Sequence, residues 1–542
     1  MDQRKDVVLS NAVLWARKPM SKVHGSMRVR DGKILEISAR ASFPKESLLD
    51  LKGMHVIPGL IDAHRHFFIW ALLPNFGDAS SWKSKEDALA AIESACMTGG
   101  PDKGWVFFSR LDHTRWKTPA LPPLRDIDAA AKGSPVLVMD TTCHKGFIST
   151  EALRRSRIRR DALRCPGDID IRAGGMLKGT VWEDALHRIL STMYREIFRT
   201  YSEEDKRKII LDEADRCLQM GLTHVHDPGV SADIQKLLKE AQRHTPLKIS
   251  WSVTAEDGLC IPPALKDEMG AIHSDHAPRS AKFFLDGANR TAACMPVVAG
   301  LKAAIKAARE SISLGSFSPL SLLLEQKITV RDGKLFMPYQ RFEDTRDLLE
   351  RARVFTDKGY RLVVHALGNV AALQAAELVK KLAPAGASVE HMLVMGEKDL
   401  DTFACCGAVA SIQPGFIPFY AESIERMGVL PYLKTFPLKS LIQRGVAVCV
   451  SSDGPCGADD PLHNIRRAVD RKKTDGSVLD PGEGISQVEA LTAGTMGGSA
   501  SLGLKNNGLS EGEAATFCIV DGDPFSDTSR VVQTWIEGKR AS

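Results

Sequence analysis

Eight short apolar runs, separated by stretches of helical pattern, constrain this chain more than any other feature. They lie at residues 55–66, 221–227, 247–253, 281–286, 361–365, 388–391, 409–413 and 446–453. Runs of this kind read as buried strands, and strands alternating with helices read as a parallel sheet. Eight strand–helix units predict an α/β fold, a (β/α)8 TIM barrel. The stretch from about 78 to 205 is too long for one crossover. It predicts an inserted subdomain after the first strand. A strand-like run at 135–140 lies inside it, and counting that run with the others would make nine.

Both chain ends have a different texture. Residues 6–57 alternate short β-type runs with turn signals such as Asp31-Gly32, and about 507–542 does the same with Asp521-Gly522 and Glu537-Gly538. Asp-Gly after a strand-like run marks a hairpin. Chain ends often meet, so a small sheet domain built from both is expected. Net charge is +5, from 72 Lys and Arg against 67 Asp and Glu in 542 residues, too weak to argue for a nucleic-acid partner. The sharpest basic run, Arg154-Arg155-Ser156-Arg157-Ile158-Arg159-Arg160, is flanked by Glu151 and Asp161 and has no interleaved aromatics, so it reads as a solvated face. The start, MDQRKDVVLSNAVLW, lacks the apolar core of a secretion signal. No apolar run reaches the roughly 18 residues of a membrane span. The 11 cysteines are scattered and form no CxxC, which suits reduced thiols and a cytoplasmic location.

The polar residues ending the eight runs carry the chemistry. Run one closes on Asp62-Ala63-His64-Arg65-His66. Residues two apart on a strand share a face, so His64 and His66 would point into the barrel mouth, where barrel enzymes keep their sites. Run four contains Lys282, an ammonium that is costly to bury unless paired. Carboxylation would turn it into an anion able to bridge two cations. Runs five, six and eight end on His365, His391 and Asp453. Imidazole with carboxylate suits zinc, and other first-row metals fit as well.

The stretch Val56-Ile57-Pro58-Gly59-Leu60-Ile61-Asp62-Ala63-His64-Arg65-His66 resembles the signature of the amidohydrolase superfamily. More narrowly, the chain is similar to amidohydrolase family 3, the branch with N-substituted formamide deformylases. The likeness extends over nearly the whole chain, through residues 282–287, His365-Ala366-Leu367-Gly368-Asn369, Glu390-His391, Gln413-Pro414, Ser452-Asp453-Gly454-Pro455 and 508–524. It implies a barrel over 58–504 and a small β-sandwich of residues 1–57 with 505–542. It implies His64, His66, His365, His391 and Asp453 as ligands of one or two zinc ions, with a carboxylated Lys282 bridging the metals where two are bound. Asp453 would also be the catalytic base, and His144 would reach the substrate. Glu183 resembles a family glutamate, and Glu183, Asp286, Gln413 and Trp82 are expected to face the substrate. Many relatives are dimers, so a homodimer fits. Departures from the family pattern are Arg65, Thr142-Cys143 before His144, Asn369 and Ala514-Ala515-Thr516.

Such a ligand set activates water for hydrolysis of a non-peptide C–N bond: an amide, formamide, cyclic amide, urea or amino-heterocycle. Deamination of an amino-heterocycle is the alternative on the same centre, and a metal-free scaffold is a rival of another class. A second His-x-His, His224 with His226, reads as structural, as does Asp275-His276. Aromatic residues crowd the region after run one: Phe67, Phe68, Trp70, Phe76, Trp82, Trp105, Phe107, Phe108 and Trp116. Most should be subdomain core. Any that face the barrel mouth would favour an aromatic or lipophilic small molecule.

Overall fold

The computed structural model describes residues 6–542 except 40–47, 99–103, 119, 164, 172–176, 255–271, 289, 314, 316–327, 383–385, 431 and 506–507. The expected boundary near 505 therefore abuts two residues outside the described set. Eight parallel strands form a nearly closed barrel: β1 (Leu60–Asp62), β2 (Leu222–Val230), β3 (Lys248–Thr254), β4 (Ser280–Phe284), β5 (Arg361–Ala366), β6 (Ala387–His391), β7 (Val409–Ile412) and β8 (Val448–Val450). Neighbours pair in chain order, and every ladder is parallel. Nearly all their residues are buried, as strands covered on both faces must be. Past the strand ends, the seam between β1 and β8 is bridged by the Asp453 N–H on the His64 carbonyl at 2.7 Å. There the Ser452 hydroxyl also donates to Asp62 Oδ2 at 2.6 Å.

The first apolar run divides between two sheets. His55–Pro58 pairs antiparallel with Phe517–Asp521, and only Leu60–Asp62 joins the barrel. Gly59 turns the chain between them. A Cβ there would stand 2.6 Å from Thr223 Oγ1, so only glycine allows the two sheets this close. His64 and His66 consequently lie beyond the strand, His64 in a bend and His66 at the start of the helix Phe67–Leu72, and not on it as the alternation implied. The two ends of the chain meet in one eight-stranded hydrogen-bonded sheet. Leu9, Leu14, Met27, Ile34, Phe517 and Ile519 form its core.

Between β1 and β2 lies a six-stranded sheet spanning Gly77–Asp78 to Leu177–Trp182. Its own apolar cluster includes Ile92, Val136, Val138 and Phe147. The helix Glu183–Phe198 follows and buries Leu186, Ile189, Leu190 and Met193 on one face. Among the described residues, no helix is long and apolar enough to cross a membrane.

Candidate metal centre

The barrel gathers its titratable side chains at the ends of β1, β4, β5, β6 and β8. His64 Nε2, His391 and Asp453 each offer an atom within 4.8 Å of the others. Asp453 Oδ1 lies 3.3 Å from His64 Nε2 and 3.2 Å from His66 Nε2. The His365 and His391 rings are 4.4 Å apart between centroids, and those of His64 and His391 5.0 Å. His391 and Asp453 have φ of 78° and 51°. Left-handed backbone at two non-glycine site residues is strain of the kind that marks functional positions.

Two of the imidazoles are aimed by a second layer of side chains. His64 Nδ1 is 2.7 Å from Glu390 Oε2, and Glu390 also accepts from the Ser388 hydroxyl at 2.5 Å. His391 Nδ1 is 2.9 Å from Gln413 Oε1, and the Gln413 amide donates to Ser451 Oγ at 2.9 Å. Each ring thus has one nitrogen committed, which leaves Nε2 for the centre. Burial raises the cost of charge on Glu390, but the His64 and Lys282 cations and the Ser388 bond outweigh it and hold the carboxyl down to about 2. Burial pushes His391 down to about 3, so its ring is neutral and able to ligate. Asp453 is also buried, yet the facing histidines hold its carboxyl well below the usual carboxylate range.

Lys282 sits within β4 with no exposed surface. Its Nζ is 5.1 Å from the Phe284 ring centroid. Burial depresses the amine to about 8. Among the described residues, Lys282 Nζ, His365 Nε2, Asp453 Oδ1 and Glu183 Oε1 are all buried without a hydrogen-bond partner. Unsatisfied buried polar atoms are costly and rare. Of these four, Lys282, His365 and Asp453 line one cavity with His64 and His391, and its carboxylate and imidazoles are ordinary ligands of a divalent cation.

His144 and Glu183 form a second unit at the mouth. His144 Nδ1 is 2.5 Å from Glu183 Oε2, and the Glu183 N–H donates to the His144 carbonyl at 2.9 Å. Burial disfavours the imidazolium, but the Glu183 carboxylate outweighs it and raises the His144 pKa above the ordinary histidine value. The His144 and His365 centroids are 5.3 Å apart. Three residues expected at the substrate do not line the cavity above the centre, although Asp286 Oδ1 is 3.5 Å from His365 Nε2. Asp286 is fully buried and accepts the N–H groups of Ala292, Leu367 and Gly368, so it braces the turns after β4 and β5. Gln413 is spent on His391. Trp82 packs on Phe108 at 4.9 Å, against the inserted sheet's core. His224 and His226 are held 2.8 Å from the hydroxyls of Ser250 and Ser252. Arg65 is buried against Glu213 and Asp459, at 2.7 and 2.6 Å.

The centre opens into a cavity of about 540 Å³ reached by His64, His66, His144, Lys282, His365, His391 and Asp453. Beyond the centre it has an apolar stretch of Phe68, Leu190, Tyr194, Phe198, Ile234 and Leu237, and charged residues at its rim. Nothing in the run-by-run reading singled out Glu390 as the partner of His64. The pattern of the helix that carries Glu183, His187, Leu190 and Tyr194 does not mark it as a cavity wall either. The dipeptide Glu390-His391 was the available signal for the first.

The sequence pattern of the amidohydrolase family matches residues 47–541. The chain belongs to the amidohydrolase family. It is 24% identical over 564 aligned residues to an N-substituted formamide deformylase of Arthrobacter pascens, covering 99% of this chain and 98% of that protein. An uncharacterized metal-dependent hydrolase from Pyrococcus horikoshii OT3 superposes with a TM-score of 0.68 at 18% identity, over 99% of this amidohydrolase and all 100% of that chain. A counterpart from Pyrococcus furiosus gives 0.65 at 19% identity, over 96% and 100%. These superpositions establish the shared fold.

Proposed function

We propose that this amidohydrolase is a metal-dependent hydrolase of a non-peptide C–N bond, an amide, formamide or cyclic amide. The observation that carries the reading is the convergence of His64, His391 and Asp453 amid buried polar atoms that lack partners. His64, His66, His365, His391 and Asp453 would hold one or two zinc ions. Lys282 would bridge them as a carbamate, a role favoured by its burial and its depressed amine. A bound divalent cation supplies Lewis acidity and brings the pKa of water toward neutrality. Asp453 accepts the proton of the attacking water and delivers it to the leaving nitrogen. His144 presents Nε2 to the substrate because Glu183 occupies Nδ1, and there it donates to the developing oxyanion. The apolar outer cavity favours a lipophilic or aromatic small molecule. Residues 1–57 with 505–542 would be the sandwich unit, 58–504 the barrel, and 78–205 its insertion. The free cysteines suit a cytoplasmic setting.

The test is release of formate or amine from N-benzylformamide and from small polar amides, by zinc-loaded wild type and Asp453→Asn. Wild type should hydrolyse the benzyl substrate faster, and the variant should lose about 10²–10⁴-fold in kcat. Preference for the polar amides would overturn the lipophilic class. No C–N cleavage by the metal-loaded protein would overturn the reading itself. Ammonia from an amino-heterocycle without any amide cleavage would move the reaction to deamination.

A further inference from the structure

The outer end of the cavity has a charge that the hydrolytic centre does not need. The helix Glu183–Phe198 runs as its spine, starting beside His144 and presenting His187, Leu190, Ser191, Tyr194 and Phe198 to the cavity at helical spacing. Arg195 is twelve residues beyond Glu183, about 18 Å along the axis at 1.5 Å per residue. Arg195 and Arg199 line both this cavity and a second cleft of about 600 Å³. The second cleft adds Arg154, Arg155 and Arg157, and its one lining carboxylate is Glu196.

That carboxylate is already engaged. Glu196 Oε2 accepts from Trp105 Nε1 at 2.7 Å and lies 3.6 Å from Arg155. Arg154 and Arg155 are satisfied by Glu151, at 2.7 and 3.0 Å. Elsewhere on the rim, Lys206 pairs with Glu203 at 2.5 Å. Among the described residues, no carboxylate pairs with the guanidinium groups of Arg157, Arg195 or Arg199. Arg195 and Arg199 are exposed at the mouth, and a guanidinium cluster without a carboxylate partner attracts an anion.

We propose that the substrate is an anionic amphiphile. Its scissile C–N bond would lie at the metal centre, its apolar body would follow Leu190, Tyr194 and Phe198, and its carboxylate or phosphate would sit between Arg195 and Arg199. The scissile end of this assignment rests on the hydrolase reading above; the arginine subsite does not.

The subsite is tested by calorimetric binding of decanoate, decyl phosphate and decanol to wild type, Arg195→Ala/Arg199→Ala and Arg195→Lys/Arg199→Lys. Wild type should bind the better of the two anions about tenfold or more tightly than decanol. The alanine pair should bring that ratio close to one, and the lysine pair should restore part of it, because charge is kept while the planar fork is lost. The tighter of decanoate and decyl phosphate identifies the head group. An anion preference that survives in the alanine pair places the anion at the metal centre and overturns the subsite, as does equal binding of anion and decanol by wild type. Hydrolysis of N-formyl-aminodecanoate against its methyl ester separates the two claims. An arginine-dependent acid preference in binding with neither compound cleaved would retain the subsite and sink the hydrolase reading. Cleavage of both at equal kcat/KM would retain the hydrolase reading and sink the subsite.

Discussion

At the scale of single residues, two imidazoles of the centre, His64 and His391, are each held by a partner outside the proposed ligand set, Glu390 and Gln413. Gln413 illustrates the dependence. It is fully buried, it meets His391 Nδ1 at 2.9 Å, and among the described residues no other side chain makes that bond. Gln413→Ala should weaken zinc affinity by about 10–100-fold, the usual cost of losing an outer-shell partner, as read by competition with a chromogenic chelator. Unchanged affinity would remove Gln413 from that role. His64, His365, His391 and Asp453 were legible because each ends an apolar run, where a polar side chain has few reasons to be. Asp286 and Gln413 end similar runs yet serve the scaffold, for a run's last residue can turn toward backbone amides or a neighbouring ring as readily as toward the cavity. Local sequence has no term for that choice.

At the scale of elements, the barrel followed from its runs because fully buried strands leave an unbroken apolar trace. The split at Gly59 did not. One continuous run feeds two sheets, and only the close approach of Thr223 shows where the chain must change partner. The wall role of the 183–198 helix was hidden for another reason. Its amphipathic pattern reports that one face is covered, and a core and a cavity look the same in that pattern. The inserted sheet positions His144, two residues before Gly146 on the strand Lys145–Ile148. Phe147 on that strand has no exposed surface and belongs to the insertion's own cluster. Phe147→Ala should destabilise the protein by about 3–5 kcal/mol, measured by denaturant unfolding. A change below 1 kcal/mol would mean that this core collapses around the loss.

At the scale of the whole molecule, buried histidines make stability depend on pH. His113 and His226 are pushed by burial from 6.5 to about 3. Below pH 6.5 the unfolded chain binds protons that the folded chain refuses, so stability falls as pH drops from 6.5 toward 3 and is flat in these groups above it. Each should cost about 2 kcal/mol between pH 7 and 5. The stability lost between pH 7 and 5, read from urea midpoints of metal-free protein, should therefore be smaller in His113→Gln than in wild type by about 2 kcal/mol, and an unchanged loss would contradict the burial of that ring. The meeting of both chain ends in one sheet was legible from their shared turn-rich texture, whereas its joining to the strand His55–Pro58 depends on long-range pairing that no local pattern carries. All of this architecture serves to hold a few side chains around one centre, and metal content tests that claim most directly. Elemental mass spectrometry of protein purified without chelator should find one or two zinc-type ions per chain in the wild type, with strong loss in His391→Ala. Wild-type protein that holds no divalent metal, and takes up none on reconstitution, would contradict the account.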